Sequence, residues 1–121
     1  MIKITYVKEL NLLADVPLEV VNVARNAVTI LDEAYGEDRD SASGYGGCVV
    51  VIDSKDDFEQ LKDLRVDLDT AMPEYVDVVE CADGQTFASC LILLGSNFGV
   101  VLIMPLTLLP ANLKDYLYAV N

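Results

Sequence analysis

The side chains in this sequence that could do chemistry are carboxylates, thiols and phenols, because the chain contains no histidine. That removes the commonest general base, the usual catalytic triads and most zinc sites. The thiols are Cys48, Cys81 and Cys90, all inside apolar runs and none in a C-x-x-C pair. Cys48 and Cys90 have no neighbouring basic residue or helix start to lower their pKa, so they read as buried core thiols rather than nucleophiles. Asp53, Asp56 and Asp57 could do acid–base work only if burial separated their pKa values; helix capping and solvation account for them more simply.

The more unusual stretch is YGEDRDSASGYGG, Tyr35 to Gly47, which holds four carboxylate and guanidinium side chains beside two tyrosines and four glycines. Tyr35, Glu37, Asp38, Arg39, Asp40 and Tyr45 form a candidate interaction loop, able in principle to recognise a partner or hold a divalent cation. An EF-hand is ruled out. With Asp38 as first ligand and Asp40 as third, Ala42 is fifth, Ser43 takes the glycine position and Val49 stands where the bidentate glutamate belongs. GYGG has neither dinucleotide nor P-loop spacing, and the surrounding acids would repel phosphate. A solvated connector in which Arg39 pairs with neighbouring carboxylates explains the same residues. No catalytic residue, metal ligand or cofactor is assigned.

The elements that must position these groups follow from periodicity. MIKITYV alternates as a half-buried strand. Asp15 is a helix cap, Pro17 falls in the first turn, and the helix runs to about Tyr35 with Val20, Val23, Ala24, Ala27, Ile30, Leu31 and Ala34 facing the sheet. CVVVID, Cys48 to Asp53, reads as a central strand covered on both faces. Ser54 and Asp57 resemble a capping box opening a short helix through Phe58 and Leu61. A strand near Tyr75 to Cys81 meets Asp83-Gly84, a type I′ hairpin signal. A final helix starts near Pro110, with Leu113, Leu117 and Val120 on one face. The order is β-α-β-α-β-β-β-α, a single α+β domain with a mostly antiparallel or mixed sheet and helices packed on one face.

Gln85 to Leu113 carries no charge. GSNFG and Pro105 break it into runs too short for a membrane helix, so it reads as a buried hairpin. Both faces of FASCLILL are apolar. With helices on one side only, the other side would need a second layer, and self-association through the sheet, as a homodimer, is the expectation on that ground.

The net charge is −12, and hydrophobic residues make up 53% of 121 residues. Sixteen of the twenty acids lie between Asp32 and Asp83 against four bases, whereas the rest of the chain is neutral. Direct nucleic-acid binding through phosphate neutralisation is therefore disfavoured. An odd count of unpatterned cysteines, with no signal-like N-terminal segment, predicts a cytoplasmic protein and no membrane association.

At LDEAYGEDRDSASGYGG with CVVVID, and again at MPEYVDVVE and SNFGVVLIMP, the sequence resembles uncharacterised proteins of Gram-positive gut anaerobes and their mobile elements, over about Leu31 to Pro105. The resemblance implies a cytoplasmic single-domain protein and supplies no activity, ligand or site residue. The functional expectation is a small acidic protein-interaction module, an accessory or immunity-like factor whose partner is basic. Two other classes compete. A nucleic-acid mimic would use Glu37, Asp38, Asp40, Asp56, Asp57, Glu59 and Asp63 as a stripe of phosphate-like charges, and a divalent-metal or carboxylate-dependent enzyme would place its site in the 36–47 loop.

Overall fold

A computed structural model describes residues 1–35, 46–64, 66–70, 72–93 and 98–119. Five strands, β1 (Ile2–Ile4), β2 (Gly46–Val51), β3 (Pro73–Glu80), β4 (Thr86–Leu93) and β5 (Phe98–Pro105), form one sheet in the order β1-β2-β5-β4-β3. The helices are α1 (Leu18–Tyr35), α2 (Asp57–Leu61) and α3 (Ala111–Ala119), joined by 3-10 turns at Val7–Leu13, Lys62–Leu64 and Leu106–Leu108. β2 and β5 pair in parallel while the other three pairings are antiparallel, so the sheet is mixed. The order of elements and the α+β class agree with the periodicity.

The helices do not share one face. α1 and the Val7–Leu13 turn cover one side, burying Leu10, Leu13, Val20, Ala24, Val28 and Leu31 against Ile4, Val49, Val51, Phe87, Val101 and Ile103. On the other side α2, α3 and their flanking turns bury Leu61, Leu109 and Leu113 against Cys48, Val50, Ala88, Cys90, Val100, Leu102 and Met104. The correction has a topological cause. The chain leaves β1 on one side of the sheet through α1 and leaves β2 on the other through α2, and the alternation of side chains then needs an apolar layer on both sides. The apolar second face of β4, which suggested a homodimer, is thus covered largely by the chain's own α1 layer.

Local chemistry explains the ends. Pro17, rather than Asp15, accepts the first helical bonds of α1, from Val20 and Val21 N–H at 3.0 and 3.2 Å. Pro110 does the same for α3, through Leu113 and Lys114 at 3.0 Å each. The β3–β4 hairpin is closed by Gly84 N–H to Cys81 C=O at 3.0 Å and Cys81 N–H to Gln85 C=O at 2.9 Å, which makes a three-residue connection in place of a two-residue I′ turn. Gly84, at φ +92, supplies the left-handed residue that this longer turn requires. Val7–Leu13, which reads as a loop, is a 3-10 turn held by Glu9, whose Oε1 accepts from Thr5 and Tyr6 N–H at 3.0 and 2.9 Å.

Candidate functional site

α1 packs mainly over β2 and meets β5 and β3 less extensively, which leaves a strip between its flank and β3. The uncovered strip is a groove of about 420 Å³, walled by Val23, Asn26, Ala27 and Ile30 of α1 and floored by Tyr75, Asp77, Val79 and Ser89. At 100° per residue, Glu19, Val23, Asn26, Ile30 and Glu33 fall on the flank of α1 that faces β3, while Arg25 falls on the opposite flank. Glu19 closes one end by accepting from Ala82 N–H at 2.7 Å in the hairpin turn. Away from that end, apolar surface opens to solvent at Ile30, which is 63% exposed.

The floor comes from strand alternation and register. Asp77 stands opposite Ser89, and Tyr75 lies two residues before Asp77 on the same face. Ser89 is 3% exposed, one of few polar side chains so deeply placed. Its side chain and the Tyr75 phenol both line the groove. Burial pushes the Tyr75 pKa up, and the charge of Asp77 raises it further against the opposing hydrogen bond from Ser89, so the phenol stays protonated at neutral pH. Serine, phenol and carboxylate therefore offer hydrogen-bond donors and acceptors, with Asp77 as the one charge on the floor.

The rim is acidic. Glu74, Asp77 and Glu80 are exposed along β3, Glu33 is exposed on α1, and neither β3 nor β4 contains a lysine or arginine. Lys3 lies on β1, at the opposite edge of the sheet.

Asp57 belongs to the framework and not to a site. Its buried carboxylate accepts from Asp53 N–H at 3.0 Å and Ser54 N–H at 3.4 Å and lies 3.2 Å from the N-terminal ammonium of Met1. Ser54 and Asp57 thus make the backbone half of a capping box. Burial raises its pKa, but the hydrogen bonds and the ammonium outweigh that and hold it below the usual carboxylate range. With Asp57 turned inward and Glu59 held 3.4 Å from Lys62, the acidic stripe that a nucleic-acid mimic would need loses continuity at α2. The candidate loop residues Glu37, Asp38, Arg39, Asp40 and Tyr45 lie outside the described residues, and of Tyr35 only its place at the end of α1 is described. No group of three or more metal-ligating side chains occurs among the described residues.

On the opposite face a hollow of about 670 Å³ lies between the β3–β4 turn and α3, lined by Gln85, Thr86, Leu106, Thr107, Lys114 and Leu117 among others. Of its polar lining, Gln85 is already engaged, since its Nε2 donates to Asp83 Oδ2 at 2.6 Å. No helix among the described residues is long and apolar enough to cross a membrane.

The groove went unseen in the sequence because its walls come from residues some fifty positions apart. One signal was present: Val23 and Ile30 make the apolar stripe of α1 wider than a single sheet contact needs. Protein-family models, curated proteins and solved structures were all compared with the chain, and none matches.

Proposed function

We propose that this chain is a small acidic protein-interaction module of the cytoplasm, an accessory or immunity-like factor that binds a basic partner through the α1–β3 groove. The observation that carries the reading is the half-covered face. Apolar surface at Ile30 and Val23 adjoins a hydrogen-bonding floor and a rim of carboxylates with no cation on β3 or β4. A mixed apolar and polar strip of this kind suits a protein surface, whose aliphatic stems and cationic heads would meet both parts. The acidic rim would speed encounter with a basic partner and discriminate against acidic ones. Three buried thiols support a reducing compartment.

Immobilised protein, native lysate and a salt series test the reading when run alongside Ile30→Asp and Asp77→Lys. Wild type should retain a basic protein at low salt and release it as salt rises, and both substitutions should weaken retention at least fivefold. Retention indifferent to both substitutions contradicts the groove as the binding surface.

A further inference from the structure

The geometry points to a specific mode of binding: we infer that the outer edge of β3 takes up an extended, lysine- or arginine-rich segment of the partner as a sixth strand. The inference rests on the protein-binding reading above and adds the conformation and chemistry of the bound segment. β3 ends the sheet order, is eight residues long, and makes no backbone hydrogen bond on its outer side among the described residues. The Cys81 N–H to Gln85 C=O bond sets the phase of the ladder. In antiparallel pairing the inward and outward groups alternate, so the N–H and C=O groups of Val76, Val78 and Glu80 face away from β4. Three consecutive outward-facing residues provide a pairing edge about as long as strand-addition sites need.

The side chains beside that edge define the occupant. On the α1 side an added strand would run next to Tyr75, Asp77 and Val79 and the open groove beyond them. On the other side it would meet Glu80 and Val78, which is 46% exposed. A segment that carries both cationic and aliphatic residues on each of its two faces would therefore meet a carboxylate and an apolar contact on each face. A second copy is a poor occupant. Two β3 strands would set Glu74, Asp77 and Glu80 against their own kind, and the opposite edge, β1, has three residues with a single lysine. Charged edges also guard against aggregation. A guard and a docking strand differ in one respect, because only the second accepts a complementary strand.

The test uses a ten-residue peptide in which pairs of lysines alternate with pairs of valines, so that each face of the strand carries both, with the same peptide N-methylated at every residue, which keeps the charge and removes every backbone donor. Backbone amide spectra of labelled protein at low salt should show exchange protection at Val76, Val78 and Glu80 on adding the plain peptide. The methylated peptide, and the plain peptide with the Asp77→Lys/Glu80→Lys variant, should each bind at least tenfold more weakly. Equal binding of the plain and methylated peptides overturns strand addition while leaving an acidic protein-binding surface intact. No binding of the plain peptide overturns the inference as well, and the lysate capture judges the broader reading separately. Protection of the same amides without peptide, rising with protein concentration, would also overturn it by assigning the edge to a second copy.

Discussion

Replacing Asp57 separates a structural role for the acidic cluster at α2 from a chemical one. The carboxylate gathers two backbone N–H groups, at 3.0 and 3.4 Å, and an ammonium at 3.2 Å, and is itself nearly out of solvent. Hydrogen bonds to charged groups contribute about 1.5–3 kcal/mol each when buried. Here one bond is long and the Asp53 side chain beside it is 64% exposed, so water can reach the orphaned groups. Asp57→Ala should therefore cost about 2–3 kcal/mol. Asp57→Asn keeps an acceptor oxygen and loses the charge, which should cost roughly 1 kcal/mol. In a domain of this size the alanine change corresponds to about 10 °C in Tm, or about 1–2 M in urea midpoint. The chain has no tryptophan, so far-UV circular dichroism is the probe.

The pH dependence gives a second, independent readout. The folded pKa of Asp57 lies below the ordinary aspartate value of 3.8. A lowered carboxylate pKa stabilises the fold above the unfolded pKa, and the stabilisation is lost as pH falls through the folded one. The gap between wild type and Asp57→Asn should thus be flat from pH 7 to about 5 and shrink as the pH falls below about 4. An alanine variant that melts like wild type, or a gap that persists undiminished at about pH 2, would refute the assignment of Asp57 to the framework.

Two further outcomes follow from burial and close approach. Burial drives the Cys90 pKa up to about 12 and raises that of Cys81, to which the charges of Glu19 and Asp83 add, and Cys48 is fully buried. Thiol-reactive dye at pH 8 should label the folded protein only at its opening rate and release three equivalents in denaturant; prompt labelling of any one thiol would contradict the packing. Gly47→Ala would set a Cβ onto the carbonyl oxygen of Gly99 in the parallel β2–β5 pair and 3.1 Å from Leu31 Cδ2. Because backbone and not a flexible side-chain tip must yield, destabilisation at the upper end of the usual 1–3 kcal/mol for overpacking is expected, and a wild-type Tm would show that the strands can part freely.

What the sequence made legible was whatever depends on local periodicity. The stripe of α1, the continuous run of β2 and the Asp83-Gly84 punctuation each specify an element without help from distant residues. The strand order does not work that way. β5 inserts between β2 and β4, and only this crossover decides that α1 lies mainly over β2 and meets β3 just at its flank. The same non-locality hid the second helical layer, although the two apolar faces of β4 demanded one. Val7–Leu13 was missed for another reason: a 3-10 turn lacks the 3.6-residue period that marks an α-helix. In the groove, the two-residue spacing of Tyr75 and Asp77 already put them on one face of β3, but nothing in the sequence brought Ile30 to them.

The central claim, that the α1–β3 groove binds a basic protein, is tested most directly by hydrogen exchange of this chain free and in complex with the partner recovered at low salt. The account predicts that protection gained on binding concentrates in residues 23–30 and 74–80 and disappears with Asp77→Lys. Protection confined to the α3 face or the β1 edge, with these two segments unchanged, would contradict it.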